Sequence, residues 1–282
     1  NATSGTTIIT SEASNYAFYA KGGSTFIHNS GLLKITTEAT TQIRNQATGV
    51  WNDLEIDNNG NICQFRYTNM THAGDLTINA GDTLQMTGDM SYKFEWDGNA
   101  TINGTLDGAT NNATGSWKFG SITIGTAGTL STTTGTTEIT SNTGGGSSSA
   151  LAFSQMGSGV FTHRNGTVKF SLNADYAQII SGSASVQGPF YDVDHNRASA
   201  SYHLYIKSDT TVEHDFDNVQ GYTTLYGPNT LTLGEDVGTP YSGKYLATGS
   251  GLRFYDNDSS NYAKVYGASE ALPAVYTGIA PD

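Results

Sequence analysis

Aliphatic residues two apart, followed five residues later by Thr and a second aliphatic residue, recur along this chain. Leu76-Thr77-Ile78 leads to Thr83-Leu84, Ile122-Thr123-Ile124 to Thr129-Leu130, and Leu204-Tyr205-Ile206 to Thr211-Val212. Side chains alternate sides along a strand, so Leu76 and Ile78 face one way and Thr77 the other. The polar segment Asn79 to Asp82 reads as the turn into the next strand. Each unit therefore predicts one corner of a coil with its aliphatic residues inside. Ala100-Thr101-Ile102-Asn103-Gly104-Thr105-Leu106 and Thr230-Leu231-Thr232-Leu233 draw on the same residue types.

A longer pattern occurs twice, about 135 residues apart. Phe26-x-His28-x-x-Gly31-x-x-Lys34, closed by Gln42-Ile43, returns as Phe161-x-His163-x-x-Gly166-x-x-Lys169, closed by Gln178-Ile179. Repetition at fixed spacing points to repeat architecture before it points to chemistry. Phe26, Phe161, Ile43 and Ile179 read as core rungs, and Gly31 and Gly166 as positions needing positive φ. Lys34 and Lys169 read as solvated, with stems covering apolar surface. His28 and His163 read as histidines bonded to a turn, since neither has a second His or Cys at ligand spacing.

The predicted fold class is all-β, a right-handed parallel β-helix or similar solenoid with internal duplication. Tandem β-sandwich modules are the alternative, because local strand patterns do not separate parallel coils from antiparallel sheets. The Gly144-Gly145-Gly146-Ser147-Ser148-Ser149 run suggests a module boundary. The expected organisation is an N-terminal strand or linker over 1–20, a first β module over 21–143 and a Gly/Ser linker over 144–149. A second β module then spans 150–235, and a Tyr-rich cap or contact segment spans 236–282.

Composition narrows the function classes. Charged residues are only 13% and Gly reaches 34, which suits short strands and tight turns. The net charge of -12, with 13 Lys and Arg in all and none in a run, disfavours nucleic acid and anionic membrane surfaces as partners. No apolar stretch is long enough to span a bilayer as a helix, so membrane insertion is not expected. The chain begins at Asn1 rather than Met, which suggests that a leader or larger N-terminal part precedes it. Cys63 is the one cysteine and reads as a small buried hydrophobe.

The segment from Gly157 to Ile179, with Phe161, His163, Gly166, Val168 and Phe170, is followed by Phe190-Tyr191-Asp192-Val193. It resembles a repeat of β-solenoid surface proteins of bacteria and of phage tail or fibre proteins. Trp51-Asn52-Asp53-Leu54-Glu55-Ile56 matches the closing segment in the first copy. The resemblance implies a rigid stalk or attachment surface, often trimeric in phage fibres, and brings no catalytic motif with it.

Acidic groups are the candidates for chemistry. Asp192 and Asp194 are expected on one side of a strand, and Glu213, Asp215 and Asp217 on one side of another. Paired carboxylates beside a groove are what glycoside hydrolysis requires, so a tailspike-like depolymerase is the enzymatic alternative. No cofactor is expected apart from a structural calcium, for which Asp57 and Asn59, or Asp256 and Asp258, supply clustered oxygen ligands in turns. Tyr255, Tyr262 and Tyr266, among short polar residues, are candidates for stacking on surface glycans. The expected role is a non-enzymatic structural or attachment protein, extracellular or on a virion surface. Self-association or neighbouring structural subunits are the expected partners, and a carbohydrate-binding adhesin is the second alternative.

Overall fold

The alternation of inward and outward residues closes into a three-sided parallel β-solenoid. The structure, a computed structural model, describes residues 3–10, 16–45, 51–66, 70–87, 93–108, 114–141, 151–171, 178–197, 202–236, 239–240, 245–247, 252–255 and 264–266. Among these residues there is no helix. The first face is an eleven-stranded sheet running from Thr6–Ile9 to Leu252–Tyr255. The second consists of seven strands continued by four, and the third carries eight strands, so eight successive coils contribute to all three faces. Pairing within the three faces is parallel throughout, which selects the solenoid over the sandwich. One antiparallel bridge pair, Glu235–Asp236 with Thr239–Pro240, stands apart from them.

Parallel register stacks like residues directly over one another about 4.8 Å apart. On the first face Ile9, Ile35, Ile56, Ile78, Ile102 and Ile124 form one inner column. On the second face Cys63, Leu84, Leu106, Leu130 and Phe161 form another. The short repeat seen in the sequence is the first corner of these coils. Leu76–Ile78 lies on the first face and Thr83–Thr87 on the second, and Ile122–Ile124 and Leu204–Ile206 lead into second-face strands in the same way.

The longer repeat is a corner motif that occurs on different faces. Lys34 lies in the first-face strand Leu32–Ile35, whereas Lys169 lies in the third-face strand Thr167–Phe170. Both copies fold alike. The ring Nδ1 of His28 accepts from the amide of Ser30 at 2.8 Å, and that of His163 from the amide of Asn165 at 2.9 Å. The positive φ expected at the glycines falls instead on Asn29 and Ser30, and on Arg164 and Asn165. Gly31 and Gly166 are needed for a different reason. A Cβ at Gly166 would stand 2.6 Å from the carbonyl oxygen of Gly135 in the coil below, and one at Gly31 2.5 Å from that of Gly5. The lysines are paired rather than merely solvated, Lys34 with Glu55 and Asp57, and Lys169 with Glu138.

The corner from third to first face is packed as closely. Gly74, Gly98 and Gly120 stack there, and the Gly120 amide donates to the Gly98 carbonyl at 2.7 Å. A Cβ at Gly120 would lie 2.6 Å from two carbonyl oxygens of the preceding coil, so a side chain would push the coils apart.

Residues 144–149 lie outside the described residues, and the sheets on either side of them are continuous. Ile122 pairs with Phe153, Thr129 with Val160 and Thr136 with Thr167. Where the second face passes from its seven-stranded to its four-stranded part, two buried glutamines meet, Gln155 from the end of the first-face strand Phe153–Gln155 and Gln187 from the start of the second-face strand Gln187–Phe190. Gln187 accepts from the Gln155 amide at 2.7 Å and donates to its carbonyl at 3.1 Å, while Gln155 donates to the Gly159 carbonyl at 2.6 Å. These side chains satisfy backbone groups that a shifted ladder would leave bare.

Aromatic side chains fill the coils near the third face. His72 is sandwiched between Trp51 and Trp96, with ring centroids 4.7 and 4.3 Å away, and its Nδ1 accepts from the Trp51 amide at 3.0 Å. Burial, with a smaller contribution from His28, pushes His72 down to about 3. The equally buried His195 is also pushed down to about 3.

Ile78→Ala should cost about 2–5 kcal/mol in urea unfolding, because it leaves a cavity between two isoleucine rungs. Thr77→Ala on the outer side should stay within about 0.5 kcal/mol. Histidines kept neutral when folded accept protons once the chain unfolds, so stability is fully present above about pH 6.5 and falls as pH drops toward 3. His72→Phe should lower stability at neutral pH by orphaning the Trp51 amide. It should also make the loss between pH 6.5 and 4 shallower, by up to about 1.4 kcal/mol per pH unit.

Candidate functional site

Three successive coils bring ionisable and aromatic side chains together at the corner between the second and third faces. The third-face strand Asp192–Asn196 alternates outward Asp192, Asp194 and Asn196 with inward Val193 and His195. Asp194 pairs in register with Lys169 in the coil before and with Asp217 in the coil after. Glu213, His214 and Asp215 occupy the corner between the strands Thr210–Val212 and Phe216–Gln220. Glu213 and Asp215, expected on one side of a strand with Asp217, instead precede that strand. The strand begins only at Phe216, because the chain must turn a corner there.

The three rings His163, Tyr191 and His214 stack along this corner. His163 and Tyr191 lie 5.5 Å apart, and Tyr191 and His214 lie 4.8 Å apart with planes only 7° from parallel. Each histidine meets a carboxylate. His163 Nε2 is 2.9 Å from Glu213 Oε2, and His214 Nδ1 is 2.7 Å from Asp192 Oδ1. Asp192 Oδ1 also accepts from the Asp215 amide at 3.0 Å, which ties one coil to the next.

Beside the stack lies an open hollow of about 270 Å³ lined by Thr167, Asp192, Val193, Asp194, Asp215 and Asp217. The four carboxylates in it repel one another. Partial burial raises the Asp194 carboxyl above the usual carboxylate range, Lys169 opposes that rise, and the Asp217 charge adds to it. Asp194 Oδ1 is buried with no hydrogen-bond partner among the described residues. Burial and the neighbouring Asp215 raise Asp217 as well. A second hollow of about 390 Å³ on the same face is lined by Lys118, Glu138, Lys169 and Arg197 among others. The outer column of this face alternates in charge through Glu95, Lys118, Glu138, Lys169 and Asp194 until Asp217 breaks the sequence.

The structure therefore gathers Asp192, Asp194, Glu213 and Asp215 into one corner. It adds His163, Tyr191, His214 and Asp217 to them. Nothing in the local spacing identified His214, since strand alternation would have turned it away from its acidic neighbours. The other candidates do not join this site. Asp57 is bound to Lys34 at 2.6 Å, and that lysine holds its carboxyl below the usual range. Asn59 forms the apex of the adjoining turn with φ 53°. Tyr255 and Tyr266 end the strands Leu252–Tyr255 and Lys264–Tyr266 on the first and second faces. Tyr262, Asp256 and Asp258 lie outside the described residues.

A carboxyl raised by burial and like charge favours the folded state only while protonated, so its benefit is lost as pH rises past the ordinary carboxylate range. Asp194→Asn should therefore raise thermal stability at pH 7, by an amount on the order of 0.5 kcal/mol for a half-exposed group. The difference from the parent chain should vanish in a calorimetric series taken below about pH 3.8. Compared with known proteins, the chain matches no protein family, no curated protein and no solved structure.

Proposed function

We propose that the chain is a rigid, non-enzymatic β-solenoid element that serves as a structural or attachment body at the surface of a virion or cell. The observation that carries this reading is that the first and third faces each run as one parallel sheet through all eight coils over a common apolar core. Each coil is bonded to the next along its sides, so the stack resists bending. Its eleven first-face strands extend about 50 Å at about 4.8 Å per coil. The outer faces accept substitution without disturbing the core, as a contact surface requires. Net charge -12 is consistent with an exposed, soluble body that does not seek nucleic acid.

Contact with a neighbouring subunit is supported by the first coils. Ile8 is 59% exposed, and Tyr16 and Tyr19, 41% and 47% exposed, stack on each other at 5.2 Å. Large apolar groups left open in this way suit a protein interface.

Sedimentation velocity over a concentration series tests the reading. A discrete oligomer or an open-ended polymer is expected, weakened in Tyr19→Ser. A strict monomer at all concentrations would remove the self-assembling body. Retention of that monomer on a polysaccharide column would then mark a carbohydrate-binding adhesin, and release of reducing ends a hydrolase.

A further inference from the structure

We propose that Asp192, His214 and Asp215 form a binding site for a divalent transition-metal ion that clasps two neighbouring coils. One carboxylate oxygen from each aspartate and one imidazole nitrogen lie within 4.8 Å of one another. Asp192 begins a third-face strand in one coil, and His214-Asp215 form the corner of the next. An ion held by all three would link the coils through side chains in addition to the backbone ladder.

The surroundings hold the donors in place. His214 is stacked face to face on Tyr191, which fixes its ring plane, and its Nδ1 points at Asp192 Oδ1 from 2.7 Å and at Asp215 Oδ2 from 3.8 Å. The Asp215 amide orients the Asp192 carboxylate. Metal–ligand bonds of about 2.0–2.2 Å set ligand atoms roughly 3–3.5 Å apart. The ring must therefore withdraw about half an ångström from Asp192, which a half-exposed residue can do. Asp192 and Asp215 also line the hollow that Asp194 and Asp217 share, so waters there complete the coordination shell while the cation relieves the repulsion of four carboxylates.

The donor set identifies the class of ion. One imidazole nitrogen with two carboxylate oxygens suits Zn²⁺, Co²⁺ or Mn²⁺, whereas Ca²⁺ prefers six to eight oxygens. This differs from the calcium expected at Asp57 and Asn59, where Lys34 already neutralises the carboxylate.

Titration of the whole chain with Co²⁺ at neutral pH, followed by visible absorption, tests the site. One equivalent should bind, Zn²⁺ should displace it, and a large excess of Ca²⁺ should not. Binding should weaken on acidification, since protons compete for the imidazole. His214→Gln and Asp215→Asn should each weaken Co²⁺ at least tenfold with an unchanged circular dichroism spectrum, while His28→Gln should bind like the parent. If either site variant fails to fold, Asp192→Asn takes its place. Absence of a saturable band, retention of it in folded His214→Gln, or equal competition by Ca²⁺ would each overturn the proposal.

Discussion

Direct stacking of each coil on the one before is the constraint from which the rest of this molecule follows. Parallel register places every residue over its counterpart, so an inner position must be filled in each coil by a side chain that packs on its own kind. Isoleucine columns satisfy this on the first face, because flat β-branched side chains nest at strand spacing. The same register forbids a Cβ at the corner where Gly74, Gly98 and Gly120 let the backbones touch. Gln187 enters the stack with partners, its side chain bonding to both backbone groups of Gln155.

The outer surface follows the same register with a different chemistry. Like charges in one column would repel at about 4.8 Å, so the third face alternates acid and base for most of its length. Lys169 and Glu138 pair at 3.2 Å as a result. The alternation fails between Asp194 and Asp217, and at that point the corner collects its acids, its stacked rings and its hollow. A break in an otherwise neutralised column concentrates negative potential, and the proposed metal ion occupies the place where that potential meets an imidazole.

The corner motif that occurs twice shows how one local solution serves different faces. Phe-x-His-x-x-Gly builds a left-handed two-residue turn, caps one of its amides with the histidine ring and leaves room for the coil below at its glycine. At His28 the ring caps the turn through Nδ1. His163 uses its second nitrogen as well, because its corner brings Glu213 within 2.9 Å.

Much of the fold was legible in the sequence. Leu76 and Ile78 two apart, with Thr83-Leu84 after a short polar turn, specify two strands and the corner between them, since alternation and turn chemistry are local properties of the chain. The acidic character of Asp192, Asp194, Glu213 and Asp215 was equally plain. Tertiary structure alone decided that the strands pair in parallel, because register depends on which coil lies next to which. It also decided that His214 meets Asp192, 22 residues earlier, through a corner that breaks the strand alternation. Long-range stacking makes that contact, and the sequence separation of stacked residues varies from 19 between Leu204 and Thr223 to 34 between Thr230 and Lys264. With coils of such unequal length, no fixed spacing in the sequence could mark which residues meet.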